Sequence, residues 1–196
     1  MGPMPLVRRR LSQDAAFVDV EMVNSGVAQY GQLLETWGAI LNKPGLMAVY
    51  LPFLRVVVGS GSLDPRLKDA SALLVGYLNG CRYTVSHRYA SALRNGLRDD
   101  EMRSVTSGDW DQFDMSWRVA LELTRAMTVL PPLVSADAIP QLADDTTLAA
   151  ARSLFGDEQL VELSMSIAVW NALSRFHRIM GLELDMPSAP PGIDPE

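Results

Sequence analysis

Cysteine is almost absent from this chain, which has a single one, Cys81, among 196 residues. A lone thiol cannot form an internal disulfide, which is typical of a protein that works in a reducing cytosol. Histidine is nearly as scarce, with two residues far apart in the sequence, and no Cys/His spacing typical of a metal site occurs. The glycine-rich motifs that bind nucleotides are missing as well. We therefore expect no metal, flavin, nicotinamide or other cofactor.

Long apolar runs and an excess of positive charge are also missing. No run of about 20 apolar residues occurs, so we expect no membrane-spanning segment. The triplet Arg8-Arg9-Arg10 is not followed by the apolar stretch of a secretory signal. The formal net charge of −6 disfavours binding to nucleic acid or to an anionic membrane. With 48% hydrophobic and 20% charged residues, the composition is that of a globular protein, which we expect to be cytoplasmic.

What the sequence does contain is helical patterning. We predict a single all-helical domain over residues 13–186, between an N-terminal arm (1–12) and a proline-rich C-terminal tail (187–196). The two terminal segments are either mobile or packed as extended arms. Within the domain, apolar residues recur at helical spacing. The segments with this pattern are 27–41, 46–58, 65–78, 81–95, 110–130, 147–155 and 158–180, and the paired prolines at 131–132 would end the fifth of them.

The stretch from Leu63 to Val105 is the most informative part of the chain. Asp64-Pro65 is a helix-start signal, because aspartate caps the helix and proline needs no hydrogen-bond partner in the first turn. Asn79-Gly80 ends this helix, and Cys81 then opens the next one. Unpaired N–H groups and the positive end of the helix dipole favour a thiolate at that position. A reactive Cys81 with a lowered pKa is therefore one of the two interpretations that the sequence leaves open.

This stretch resembles the carboxymuconolactone decarboxylase and alkylhydroperoxidase (AhpD)-like family. The resemblance lies in an acidic residue, Asp69, an Asn-Gly-Cys turn twelve residues later, and the Ala-Leu-x-x-Gly pattern that starts at Ala92. It covers about residues 46–105 and weakens towards Gly181. It implies an all-α, AhpD-like helical bundle that acts on a small-molecule substrate and assembles as a homodimer, trimer or hexamer. It also favours a helix over 46–58, where Pro52 and the β-branched residues that follow would otherwise allow a strand.

Three departures from the family pattern bear on the activity. The second cysteine of the Cys-x-x-Cys motif is Thr84 here, so a thiol pair cannot form a disulfide during peroxide reduction. The family histidine seven residues after the first cysteine is replaced by Arg88, and His87 precedes it. The usual glutamate is the shorter Asp69.

The resemblance, carried over to these positions, implies Cys81, His87 and Asp69 as catalytic residues, with Arg88 and Thr84 binding substrate. One possible reaction is reduction of a hydroperoxide by Cys81 alone, with an external thiol completing each cycle. The other is acid–base chemistry on a lactone or carboxylate, in which His87 moves protons and Arg88 binds the anion. Asp69 would then either orient His87 or hold Arg88 by an ion pair.

Other interpretations remain open at this stage. Cys81 can be a small buried hydrophobic residue, and His177 is interpreted as a core or interface residue. The chain can also be a redox-inactive family member that binds a small acid or a partner protein, or a purely structural helical module.

A shift of 93 residues pairs Asp64 with Asp157, Leu67 with Leu160, and other apolar positions with each other. This indicates either an internal repeat or two helices that pack similarly against one core.

Overall fold

The computed structural model describes residues 5–130 and 141–195. In these residues the chain folds into α-helices joined by short loops, with no β-strand. The helices are α1 (Val20–Tyr30), α2 (Glu35–Ile40), α3 (Leu46–Val58), α4 (Pro65–Leu78), α5 (Arg82–Arg94), α6 (Asp99–Ser107), α7 (Met115–Thr128), α8 (Asp145–Leu154) and α9 (Asp157–Met180). The predicted all-α fold is confirmed. None of the described helices is long and apolar enough to cross a membrane.

The two helices at the centre of the family resemblance are confirmed. The Asp64 side chain accepts a hydrogen bond from the N–H of Arg66 and so caps α4. Cys81 is the N-cap residue of α5. The helix over 46–58 is confirmed too, with Pro52 inside α3. A strand over its C-terminal half is therefore excluded.

Two helix boundaries differ from the predictions. The single helix predicted over 27–41 is wrong, because α1 ends at Gly31, whose φ of 76° is left-handed and stops the helix. The helix predicted from Trp110 begins at Met115, where the Asp114 side chain caps it. The proline pair predicted to end that helix, at 131–132, lies outside the described residues.

Helix α4 lies at the centre of the main hydrophobic core. It packs against α5, α6, α7 and α9, and its residues from Leu67 to Gly76 are all buried. Small residues make this close packing possible: a Cβ on Gly76 would lie 3.0 Å from Cγ2 of Thr84 on α5. The neighbouring helix α5 is thereby fixed against the core, with its other side free to line a site.

A second, smaller core joins α1, α2 and α3, and includes Val23, Trp37, Met47 and Leu51. The buried Asp19 carboxylate accepts hydrogen bonds from the N–H groups of Gly45 (2.8 Å) and Ala48 (2.9 Å) and thereby caps α3. Tyr50 on α3 packs against both cores.

Both ends of the described chain pack onto the helices. On the N-terminal side, the N–H of Arg10 donates to the carbonyl of Gly38. After α9, the chain turns back as an extended segment of residues 182–195, called here the C-terminal strap. Its Ile193 side chain is fully buried in the main core.

Candidate functional site

A cavity of about 430 Å³ lies between the two cores, with walls from α1, α2, α3, α5 and α9. Its apolar wall includes Trp37, Leu51 and Leu54. The charged side chains that line it are three arginines, Arg55, Arg88 and Arg94, and within the described part of the chain no aspartate or glutamate lines it. The lining is therefore positively charged, although the chain as a whole has a net charge of −6.

His87 projects from α5 into the wall of this cavity and is buried, with 8% of its surface exposed. Its ring packs against Tyr83, with the ring centroids 4.6 Å apart. Nε2 lies 3.4 Å from Oδ2 of Asp185, which is a charge contact without hydrogen-bond geometry. This buried nitrogen therefore has no hydrogen-bond partner among the described residues.

Asp185 comes from the C-terminal strap, and no motif in the sequence indicates a role for it. Its carboxylate accepts hydrogen bonds from the N–H of Glu35, at 3.1 and 3.0 Å, and from the hydroxyl of Tyr83. Burial alone would raise the pKa of Asp185, but these contacts and that with His87 hold the pKa below its ordinary value. The group next to His87 is therefore an ionised carboxylate at neutral pH.

Arg88 is fixed by two neighbours. Its Nη1 lies 3.4 Å from Oδ1 of Asp69, and its Cζ lies 4.3 Å from the centre of the Trp170 ring. Asp69 also accepts hydrogen bonds from Ser91 (3.0 Å) and Asn95 (2.6 Å). Burial lowers the pKa of Arg88, which nevertheless stays protonated at physiological pH. Of the two roles considered for Asp69, the structure shows the contact with Arg88 and none with His87.

One donor of Arg88 is free. Its Nε is buried and has no hydrogen-bond partner among the described residues, although Arg88 lines the cavity. A buried N–H without a hydrogen-bond partner is costly, so an anion that reached Nε would be stabilised by it.

Cys81 lies outside the cavity lining, with 1% of its surface exposed. Its Sγ accepts hydrogen bonds from the N–H of Thr84 (3.4 Å) and from the Thr84 hydroxyl (3.2 Å). Burial raises the pKa of the thiol, and the bonds from Thr84 and the charge of Arg178 only partly oppose it. Of the two interpretations of Cys81, the structure favours the buried residue, because the loss of hydration exceeds the effect of the helix N-terminus.

His177 is interpreted from the sequence as a core or interface residue. In the structure it also belongs to the site. It is buried, and it also lines the cavity. Its Nδ1 lies 3.0 Å from the Thr84 hydroxyl, and its Nε2 lies 3.0 Å from the hydroxyl of Thr36. Burial lowers the pKa of His177 to about 3, so the ring is neutral. His177 thus connects the Cys81–Thr84 pair with the cavity wall.

The five residues predicted for the site therefore lie in two layers. His87 and Arg88 line the cavity, and Asp69 holds Arg88 from behind. Cys81 and Thr84 lie deeper, behind His177.

Comparison with known proteins agrees with this architecture. Residues 44–126 match the model of the carboxymuconolactone decarboxylase family. No curated protein sequence matches the chain.

Three solved structures share the fold at low sequence identity. The debrominase Bmp8, as a cysteine-to-alanine variant in complex with 2,3,4-tribromopyrrole, has a TM-score of 0.76 and 17% identity over 94% of both chains. A peroxidase-related protein from Ralstonia eutropha with an alkylhydroperoxidase AhpD core has a TM-score of 0.75 and 11% identity, also over 94% of both chains. An AhpD-type protein from Agrobacterium tumefaciens has a TM-score of 0.57 and 19% identity, over 69% of this chain and 88% of its own. Residues 44–126 thus match the carboxymuconolactone decarboxylase family, and the described residues have an AhpD-like helical fold.

Proposed function

We propose that this protein is an enzyme in which His87 exchanges a proton with a small organic anion bound by Arg88. The observation that carries the proposal is the cavity itself. Its charged lining consists of arginines, and His87 lies in its wall beside the ionised Asp185. A cavity of about 430 Å³ suits a small molecule.

Arg88 supports an anionic substrate. A guanidinium binds a carboxylate through two parallel hydrogen bonds, and Arg88 has a buried donor, Nε, still free. Stacking on Trp170 and contact with Asp69 fix the plane of the guanidinium before a ligand arrives. The apolar wall formed by Trp37 and Leu51 would contact the carbon skeleton of the substrate.

His87 is the better candidate of the two histidines for proton transfer. Both ring nitrogens of His177 are engaged by threonine hydroxyls, and its low pKa leaves it neutral. In His87, Nε2 faces Asp185, so the carboxylate favours the tautomer with its proton on Nε2. Nδ1 is then the nitrogen that exchanges a proton with the substrate.

The reaction class that fits is proton transfer at a carbon next to a lactone or carboxylic carbonyl. As Nδ1 of His87 takes the proton, the electron pair of the C–H bond moves into the carbonyl group. Return of the proton to the same or a neighbouring carbon completes an exchange or an isomerisation. If the substrate loses CO₂ instead, the carbon that held the carboxylate takes the proton.

Peroxide reduction by Cys81 has less support. The thiol is buried and outside the cavity lining, and its raised pKa leaves little of the nucleophilic thiolate at neutral pH. Thr84 also provides no second thiol. The alternative is a family member that binds a small acid in the same cavity without converting it. The two functions differ only in whether the bound acid is turned over.

Proton exchange with solvent tests the proposal. The lactone acid 5-oxotetrahydrofuran-2-carboxylate is incubated with enzyme in D₂O, and loss of its C–H signals is followed by NMR. We expect exchange with the wild type and with Cys81→Ser, and loss of exchange with His87→Asn. Exchange that survives in His87→Asn would overturn the proposal. Binding of the probe without exchange in the wild type would favour the non-catalytic alternative.

A parallel assay separates the redox route. Hydrogen peroxide consumption in the presence of dithiothreitol is compared between the wild type and Cys81→Ser. We expect both proteins to match the buffer rate. Consumption that disappears with Cys81→Ser would favour the one-cysteine peroxidase instead.

We also propose a homo-oligomer and a cytoplasmic location. One face of α3 leaves Val49, Phe53 and Val56 largely exposed, which supports burial against another subunit. The single thiol supports the location. Sedimentation velocity would test the oligomer, and a monomer at micromolar concentration would contradict it.

A further inference from the structure

The C-terminal strap lies outside the family-matched segment 44–126 and is fixed to the helices at two places. At its far end, Ile193 is fully buried, and the Thr106 hydroxyl donates to the carbonyl of Gly192 at 2.8 Å. Asp194 pairs with Arg82 of α5 through Nε (3.1 and 3.0 Å) and Nη2 (2.8 Å). These contacts attach the strap to the outer side of the helix that carries His87.

The second place of attachment is Asp185, which contacts two helices at once. It accepts the N–H of Glu35 at the start of α2, where the N-cap residue Leu34 offers no side-chain acceptor. It also accepts a hydrogen bond from the Tyr83 hydroxyl and faces Nε2 of His87, both on α5. Its side chain is only 5% exposed, so water competes little for these contacts.

Asp185 is also the acid that contacts His87 in the described structure. Asp69 is engaged with Arg88, Ser91 and Asn95, and no contact joins it to His87. Tyr83 lies between the two histidines, with ring centroids 4.6 Å from His87 and 4.6 Å from His177. The Tyr83 hydroxyl and the His87 ring therefore depend on the same carboxylate for their orientation.

We propose that Asp185 is the positioning residue of His87 and Tyr83, and that docking of the C-terminal strap completes the site. The catalytic meaning of this inference rests on the proposed function, whereas the arrangement itself does not. The negative charge of the carboxylate, 3.4 Å from Nε2, favours the His87 tautomer with its proton on Nε2, which leaves Nδ1 as the acceptor. Without the negative charge, the Nε2–H tautomer of His87 is no longer favoured over the Nδ1–H tautomer.

The ring nitrogens of His87 report this directly in the enzyme without substrate. Long-range ¹H–¹⁵N spectra distinguish protonated from unprotonated ring nitrogens, and with two histidines in the chain the His87→Asn variant assigns both sets of signals. The isosteric Asp185→Asn should shift His87 towards the Nδ1–H tautomer, and Asp185→Glu should restore part of the Nε2–H signal. The matched control is Glu183→Gln, which removes an exposed carboxylate of the same strap and should leave the spectrum unchanged. An unchanged His87 spectrum in Asp185→Asn would overturn the inference.

A second variant acts on the strap from outside the site, in case Asp185→Asn does not fold. Arg82 has 56% of its side chain exposed, so Arg82→Met should fold while losing the pair with Asp194. We expect faster amide hydrogen exchange over residues 183–194 and a partial change of the His87 tautomer signals. Faster exchange of the strap with an unaltered His87 spectrum would contradict the inference. Neither the tautomer spectrum nor the amide exchange uses a substrate. A negative result in these two experiments would therefore count against the role of Asp185, whereas the proposed reaction is tested separately by proton exchange in His87→Asn.

Discussion

Replacing Arg88 with methionine removes the charged side chain of the cavity lining that stacks on Trp170. The unbranched methionine side chain fills much of the same space. A hydrogen bond to a charged group contributes about 1.5–3 kcal/mol when the alternative is a buried unpaired group. We therefore expect carboxylate binding to weaken by about 2–3 kcal/mol, which is about 30- to 150-fold in Kd.

The same substitution should also destabilise the fold. Arg88 loses its stacking on Trp170, which contributes about 0.5–2 kcal/mol, and the buried Asp69 loses its ion partner, which costs about 3–5 kcal/mol when nothing compensates it. Asp69 keeps the hydrogen bonds from Ser91 and Asn95, which offset part of this cost. We expect a net loss of about 3 kcal/mol, or about 6–12 °C in Tm for a chain of this size.

Isothermal titration calorimetry with benzoate measures the binding effect, and benzamide serves as the uncharged probe of the same shape. The matched control is Arg94→Met, at an exposed position of the cavity rim, for which we expect a change in Kd of less than about 5-fold because exposed charge pairs contribute little. Wild-type affinity for benzoate in Arg88→Met would refute the role of Arg88. Equal loss of benzoate and benzamide binding would show that the change damaged the cavity and not the anion contact.

Three further predictions concern groups around the site. Because burial raises the pKa of Cys81, iodoacetamide at pH 7.5 should alkylate it slowly in the native protein and quickly in urea; equal rates would contradict its burial. The pKa of His177 is lowered to about 3, so the unfolded state alone gains a proton as the pH falls below about 6.5. The free energy of unfolding from urea titrations should therefore fall between pH 6.5 and pH 3, and this fall should be smaller in His177→Gln; an equal pH dependence would refute the assignment. Asp19→Ala should cost about 1–2 kcal/mol, measured the same way, because the N–H groups of Gly45 and Ala48 lose their acceptor; a change below about 0.3 kcal/mol would contradict the capping role.

Local signals in the sequence predicted the helices that carry the site. Asp64-Pro65 and Asn79-Gly80 bound α4, and they do so through contacts within a few residues of each turn. The break at Gly31 was missed, because glycine is tolerated inside a helical pattern and becomes a stop only when the backbone takes a left-handed conformation.

The candidate site was predictable only where its residues are neighbours in sequence. His87 and Arg88 follow Cys81 on one helix, and the structure places both at the cavity. Asp185 is 98 residues from His87, at the end of the predicted helical domain and just before the proline-rich tail. Nothing in the sequence around Asp185 indicates which helix it would meet.

The sequence by itself determined the all-α fold, the α4–α5 hairpin and the family resemblance of residues 44–126, because these depend on local capping, turn and periodicity signals. The tertiary structure alone decided the chemistry of the site. A helix N-terminus changes the energy of a nearby charge by about 0.3–1 kcal/mol, whereas full burial can shift a pKa by about 3–5 units. The burial of Cys81 therefore determines its pKa, and the meeting of Asp185 with His87 supports the proposal that His87 acts as the base. Both depend on how residues far apart in the chain pack together, which no local pattern encodes.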